Sequence, residues 1–515
     1  MGATPSKPVQ EHQVSEKQRE LETATSLLRS LQIRDSNGSS SSSSSQRGKY
    51  GPATADVSFD GLKEWQENFE NSARFQLSST LLSKQDWTIA LAGRERVTED
   101  LHIYNTKIST EGTPITSQMS SGRCWLFATT NVIRIGLKKK YNLDDFQLSQ
   151  SYLFFYDHVE KSNYYLETMI ELVDEPLDSR VIQFLSTAPE NDGGQWDMAS
   201  NLIEKYGLVP QSVYPESFNS SNSSKVDSLL TTKLREYTLE LRRLYASFLS
   251  SYTTQGLSCA EAKALAVKGL RKRKSEQMDE VYRILCITCG SPKKVEEFTW
   301  EYYDKNGKFH SIKATPLSFY KEQCDFFSAK DSLSLIDDPR NEYGKLYTVK
   351  HLGNVWDGER VSYVNSGVEK MKQVAIALLK ADQPVWFGCD VGQSSERTLG
   401  LMDHKLFDLS NAFGTTKGMT KSERLQMGDS AMTHAMTITA VHLDKDGRPV
   451  RWRVENSWGP TPGEKGYFMM TDGWFDEFVY QIVAHKSFVP KELRRVWENK
   501  DAVELPPWDP LGALA

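Results

Sequence analysis

The sequence predicts an α+β fold, with a mainly helical first part, a block of long helices and a β-rich last part in that order. Three observations predict it. The small and polar stretch Ser117 to Arg123 runs into an apolar segment, Trp125 to Ile133, which reads as a loop feeding the first turn of a helix. Residues 225–290 read as long helices, with Glu261 to Leu285 continuing the composition of the first. Thr433 to Val441 is β-rich, followed by the turn Asp444-Lys445-Asp446-Gly447 and a second strand, Val450 to Glu455. Helices gathered first and strands last are the pattern of an α+β chain.

The chain of 515 residues has length for roughly two to four domains and a large core. Its 38% hydrophobic and 25% charged residues are ordinary for a soluble globular protein. A formal charge of −6 argues against a wholesale nucleic-acid binder and leaves open a local basic channel. No apolar run reaches the ~20 residues of a membrane span. Six cysteines, at 124, 259, 286, 289, 324 and 389, are irregularly spaced. They point to a reducing compartment without a disulfide framework.

Residues 1–55 are read as a disordered or variable extension. Ser39 to Ser45 is low-complexity, and Val14 to Ile33 carries a weakly amphipathic helical pattern. Met1-Gly2-Ala3-Thr4-Pro5-Ser6 fits the N-myristoylation pattern, whereas Glu11, Glu16, Glu20 and Glu22 spoil a mitochondrial presequence. The globular part begins near Val57, and residues 60–95 look mainly helical.

Cys124 then sits where a helix N-terminus stabilises an anion through unpaired N–H groups and the helix dipole. A thiolate forms far more readily there, above all beside an imidazolium. Gln118 can supply a side-chain N–H to an oxyanion, with the Cys124 backbone N–H as second donor. Downstream, Leu148 to Asp157 reads as a buried helix whose aromatics belong to the core. Asn191-Asp192-Gly193-Gly194-Gln195-Trp196 is a glycine turn opening onto a helix, Met198 to Tyr206. Gly193 and Gly194, lacking Cβ atoms, let a substrate backbone approach, although a plain turn has the same composition.

Within 225–290, Leu229, Leu230, Leu234, Leu239, Leu241 and Leu244 are expected to supply packed faces. Arg271-Lys272-Arg273-Lys274 reads first as a solvated helix face, with a polyanion-binding patch as the alternative. Cys286 and Cys289 have C-x-x-C spacing without a second pair, so neither a zinc nor a redox role is expected. Trp300 to Ile312, around Asp304-Lys305-Asn306-Gly307, is a hairpin. Met371 to Lys380 is a short helix leading to the strand Pro384 to Cys389, where apolar neighbours keep the Cys389 thiol inert.

The last hairpin completes the chemistry. Folded at Lys445, it sets His434 opposite Asn456, within about a residue of register. An Asn oxygen accepting from one ring N–H fixes the imidazole tautomer and leaves the other nitrogen for a thiol. Trp458 covers that bond, or is ordinary core.

Gln118, Cys124, His434 and Asn456 in this order resemble the papain superfamily of cysteine peptidases. The Cys–His gap, 434 − 124 = 310 residues, exceeds the roughly 130–150 of papain and the cathepsins. With that insertion, Ser-Ser-Gly-Arg-Cys-Trp, Asn-Asp-Gly-Gly-Gln-Trp-Asp-Met and the ending Trp508 to Ala515, the sequence is similar to the bleomycin hydrolase family from about residue 60 onward.

The resemblance implies a papain-like fold and an aminopeptidase that uses no metal or cofactor, acting on peptides with a free N-terminus. It further implies hydrolysis of bleomycin and of homocysteine thiolactone, and a homohexamer with an internal channel in which nucleic-acid binding has been noted. A C-terminal arm whose terminal carboxylate, here on Ala515, meets the substrate ammonium is also implied. Ser121 stands where secreted relatives carry a disulfide cysteine, which fits an intracellular enzyme, expected in the cytoplasm with the mitochondrion as a second site. The expected segments are 1–55, a helical part 56–215, an insertion 216–370 serving oligomerisation, a β part 371–490 and an arm 491–515. The rival readings are a cysteine acyltransferase or deubiquitinase-like enzyme and a channel-binding protein.

Overall fold

The computed structural model describes residues 56–99, 101–292 and 296–514. The readings made on residues 1–55 and on Ala515 lie outside these. Of the described residues, those from 78 onward form one compact unit and 56–77 belong to another. In the latter, helix α1, Phe59–Glu70, starts at Ser58, whose hydroxyl accepts the Gly61 N–H.

In the larger unit Cys124–Tyr141 forms α2. Its last turn carries Lys138, Lys139 and Lys140, complementing the negative end of the dipole. Trp125, Leu126, Ile133 and Leu137 are fully buried. Burial of each such side chain stabilises by about 1.5–3 kcal/mol. Helix α3, Gln150–Glu171, and helix α4, Trp196–Tyr206, pack in the same core. Helices α5, Ser224–Thr254, and α6, Cys259–Cys289, form a long antiparallel pair. Gly256 takes φ +83° in the turn, and Ser258 and Glu261 cap α6 reciprocally.

The buried stripe of α5 is Val226, Leu230, Leu234, Tyr237, Leu241 and Tyr245, which repeats at helical spacing. Leu229 and Leu239, expected in the packed face, fall off that stripe and are exposed, and Leu244 is partly buried. Cys289 closes α6 inside the core, and all six cysteines are free thiols. The α5 and α6 stripes share one hydrophobic cluster with Cys124 and Trp125, so the insertion is built into the core of the helical half.

Strands β1, Phe298–Tyr303, and β2, Phe309–Ala314, make the isolated hairpin. The large sheet uses β3, Ser332–Ile336; β4, Leu346–Val349; β5, Tyr363–Asn365; β6, Val385–Cys389; β7, His434–Leu443; β8, Pro449–Glu455; β9, Tyr467–Thr471; β10, Val479–His485; and β11, Ala502–Leu505. Their order is β11-β4-β5-β3-β10-β6-β7-β8-β9, continued by the short strands Leu401–Met402 and Ser395–Glu396.

This sheet divides two cores by simple alternation. Trp386 and Ala435 join the cluster of Cys124, while Val385, Phe387, Cys389, Met436 and Ile438 join a second one with Met371 and Val374. The latter two belong to helix α7, Val368–Lys380. Cys389 is buried there, and its thiol is pushed well up by burial, in keeping with an inert core group.

The β7–β8 register differs from expectation. The ladder pairs Thr437 with Glu455 and Ile438 with Val454, where folding at Lys445 would have paired Thr437 with Arg453. The reason is the turn. Asp444 accepts the N–H groups of Asp446 and Arg448 on its carboxylate, and Gly447 takes φ +78°. That is a three-residue loop, which moves the fold point one residue along. Shifts in the ladder follow between Ile438 and Ala440 and between His442 and Leu443.

Candidate active site

Cys124 is the first residue of α2, and the preceding Arg123 makes no side-chain cap. The first N–H groups of the helix therefore remain available at the sulfur. Backbone N–H groups of Ala435, Trp125 and Cys124 interact with the thiol. Burial dominates all the same and pushes the Cys124 pKa up to about 11. Burial likewise pushes the His434 imidazole down to about 4, against the bond from Asn456. At neutral pH each group taken singly is uncharged. A proton passed between them creates two adjoining opposite charges that stabilise each other.

His434 opens β7, opposite Cys389 on β6. Its Nε2 lies 2.9 Å from Asn456 Oδ1, so Nε2 carries the proton and Nδ1 is left for the sulfur. Because β8 ends at Glu455, Asn456 is reached diagonally; the direct opposition expected from the sequence is not made. The Trp458 ring lies 5.0 Å from the imidazole, tilted by 31°, with the Arg397 guanidinium on the indole at 4.7 Å. Beneath Asn456, the buried Glu455 carboxylate pairs with Arg134 of α2.

Gln118 is held at both ends. Its Oε1 accepts the Ser457 hydroxyl at 2.7 Å, its Nε2 donates to Ser121 O at 2.6 Å, and its backbone N–H donates to Ser457 O at 2.8 Å. One Nε2–H stays free for a substrate oxygen. The intervening Met119 takes φ +54°, an uncommon conformation for a side-chain-bearing residue.

An open cleft of about 480 Å³ gathers Gln118, Gly122, Cys124, Asp192, Gly193, Thr433, His434 and Leu514. A larger groove of about 870 Å³, lined by Val132, Gly136, Phe326 and Trp386, follows the later turns of α2 and contains none of the candidate residues.

Of the two glycines, Gly193 lines the cleft, and its carbonyl accepts the Lys161 ammonium at 2.6 Å. Gly194 departs from expectation. A Cβ there would lie 2.4 Å from the Trp125 ring, so the tight neighbour is a core indole. In the basic cluster Arg271 and Lys272 are exposed, as a solvated face requires, while Arg271 and Lys274 pair with Glu167, and Arg273 with Glu240 and Glu276.

The C-terminal arm enters the same cleft. After β11 pairs in parallel with β4, the Trp508 ring packs under Arg180 at 3.8 Å and Asp509 pairs with Arg340 at 2.9 Å. The Tyr363 hydroxyl donates to Leu511 O at 3.1 Å, and Gln195 Nε2 donates to Ala513 O at 2.6 Å. Leu514 reaches the cleft wall. Sequence reasoning missed Ser457, Gln195 and Asp192. Asp192 takes the Gly122 N–H at 2.6 Å on its carboxylate and the Trp125 Nε1–H at 2.7 Å on its carbonyl. An acid beside paired glycines was the available signal.

Residues 56–512 match the Peptidase C1-like family. Human bleomycin hydrolase is 41% identical over 458 residues, covering 87% of this chain and 96% of that protein. Aminopeptidase C of Lactobacillus delbrueckii subsp. lactis is 38% identical, with 89% and 99% covered. The mitochondrial cysteine proteinase 1 of Saccharomyces cerevisiae (strain JAY291) is also 38% identical, with 90% and 94% covered. The crystal structure of PepW from Lactobacillus rhamnosis HN001 superposes with a TM-score of 0.82 at 39% identity, covering 90% of this chain and 100% of that one.

Proposed function

The chain belongs to the Peptidase C1-like family, the papain-like cysteine peptidases, and from that premise we propose that it is an aminopeptidase that removes residues from free peptide N-termini. In this reading Cys124 is the nucleophile, His434 the acid–base group, Asn456 its orienting partner and Gln118 an oxyanion donor. Gly193 and Trp458 border the bound substrate.

The Cys124 proton passes to His434 Nδ1, and Sγ bonds to the substrate carbonyl carbon. The oxygen, now an anion, takes N–H bonds from Gln118 Nε2 and the Cys124 backbone. As the C–N bond breaks, Nδ1–H protonates the departing amine. Water then attacks the thioester with Nδ1 as base, releasing the amino acid and restoring the thiol.

The observation that carries the N-terminal restriction is Leu514 in the cleft of Cys124 and His434, with Ala513 tied down by Gln195. Leu514 on the wall beside Cys124 and His434 narrows the cleft against a substrate chain that continues past its N-terminus. The relatives named bleomycin hydrolase and aminopeptidase C support the same reading. The proposal extends to bleomycin, to homocysteine thiolactone, to a homohexamer, and to a cytoplasmic or mitochondrial site. Among the described residues no helix is long and apolar enough to cross a membrane.

The test is fluorophore release from an unblocked aminoacyl amide and from its N-acetylated twin, before and after deletion of Leu514 and Ala515. Cleavage of the free amine alone, relaxed toward the blocked twin by the deletion, is expected, with Cys124→Ala inactive and folded. Equal cleavage of both substrates by the intact enzyme would remove the gating. No cleavage of either would favour a binding role.

A further inference from the structure

One buried titratable side chain has no part in the chemistry above. His158, in the middle of α3, is fully buried. Its Nδ1 lies 2.9 Å from Glu190 Oε1, and its Nε2 lies 3.6 Å from both Asp192 Oδ1 and Asp227 Oδ1. The three carboxylates come from two places, the glycine turn and α5. The edge of Phe154 packs at 4.1 Å. On its own helix Asp157 and Lys161 pair with each other at 2.7 Å. From α6 the Cys289 thiol senses His158 and Arg123, and Arg123 is itself paired with Glu216 at 3.0 Å.

Carboxylates facing both ring nitrogens favour the imidazolium electrostatically over either neutral tautomer. The carboxylates prevail over burial and hold the ring protonated well above the ordinary range.

Asp192 is the member of this cluster that reaches the cleft. Its Oδ2 accepts the Gly122 N–H and the Ser223 hydroxyl, and its carbonyl accepts Trp125 Nε1–H. It thus grips the chain two residues before Cys124 and one residue after. Burial disfavours the charged form of Asp192, and the His158 cation opposes it together with the Ser223 hydroxyl and the Gly122 N–H, so the carboxyl is held below its ordinary range. We infer that His158 is a positioning residue, whose imidazolium keeps the Asp192 carboxylate on the Gly122 N–H and so fixes the loop bearing Gln118 and Cys124. The inference rests on the reading of Cys124 as nucleophile.

The experiment compares wild type, His158→Lys and His158→Gln as full chains, with kcat and KM per titrated active site from pH 5 to 9. The alkylation rate of Cys124 by iodoacetamide is measured in parallel. Lysine keeps the cation and is expected to hold kcat within about threefold. Glutamine is expected to lower kcat and the alkylation rate by about tenfold or more, the scale of a lost bond to a charged group, with KM little changed.

Where His158→Gln does not fold, the charge-balanced double variant His158→Gln/Asp192→Asn replaces it, with the same loss expected. Wild-type kcat per site in the glutamine variant, or a lysine variant as impaired as glutamine, would overturn the inference. So would one divalent cation per chain, found by elemental analysis in wild type and lost from His158→Gln. A wild type without turnover would defeat the aminopeptidase reading alone, since alkylation still reports on the Cys124 loop.

Discussion

Replacing Asn456 by alanine tests whether it orients the proposed acid–base group, His434. Asn456 Oδ1 accepts from His434 Nε2 at 2.9 Å and from the Ser457 backbone at 2.7 Å, in a site about 1% exposed. Alanine leaves both donors facing an unfilled, water-poor space under Trp458. The bond to the ring involves a group that is charged in the reacting state, worth about 1.5–3 kcal/mol. At about 1.4 kcal/mol per factor of ten, kcat should fall about 10- to 150-fold. The fall has a second source of the same sign. Burial already lowers the imidazole to about 4 and the Asn456 bond opposes it, so the variant ring accepts the thiol proton less readily. Steady-state release from an unblocked aminoacyl fluorophore from pH 5 to 9, normalised to alkylatable thiol, measures the effect. A kcat within about twofold of wild type at every pH would refute the assignment.

Gln118→Ala removes the proposed oxyanion donor and should lower kcat by about 10²–10³ with KM nearly unchanged; a change confined to KM would contradict that role. Gly194→Ala sets a methyl against an indole that cannot retreat while its N–H is bonded to Asp192, so a loss of about 1–3 kcal/mol is expected. An unaltered Tm would count against it. Asp197, buried with the Ser362 N–H on its carboxylate, is pushed up to about 7 by burial. Its folded pKa exceeds the unfolded value of about 3.9, so its ionisation drains stability as pH rises from about 4 to 7. Asp197→Asn should therefore raise Tm at pH 8 and do little at pH 4, and equal Tm values at pH 8 would refute this.

Much of the site was legible in the sequence because its signals are local. A polar loop meeting an apolar helix marks Cys124, and a β-rich segment with a glycine turn marks His434. The fold point of the hairpin was misjudged, since Asp444 folds its own side chain into the turn. The contact survives the altered register because side chains two residues apart across a twisted pair still touch. Leu229 and Leu239 were assigned to a packed face by composition, whereas a 31-residue helix buries only the stripe that helical spacing permits. The acidic cluster that contacts the Cys124 loop through Asp192 could not be read in advance. His158, Glu190, Asp192 and Asp227 lie on α3, the glycine turn and α5, and only tertiary packing brings their charges together.

The C-terminal arm has a practical consequence for anyone producing this protein. Its backbone is anchored through Leu511 and Ala513, and Leu514 already stands on the wall beside Cys124. An affinity tag fused close behind Leu514 would start from the cleft wall and act as a tethered plug, present at high effective concentration whatever its intrinsic affinity. Such a preparation would report a weak enzyme and blur any comparison of blocked with unblocked substrates. A removable tag at the other end of the chain leaves Leu511 to Leu514 unencumbered.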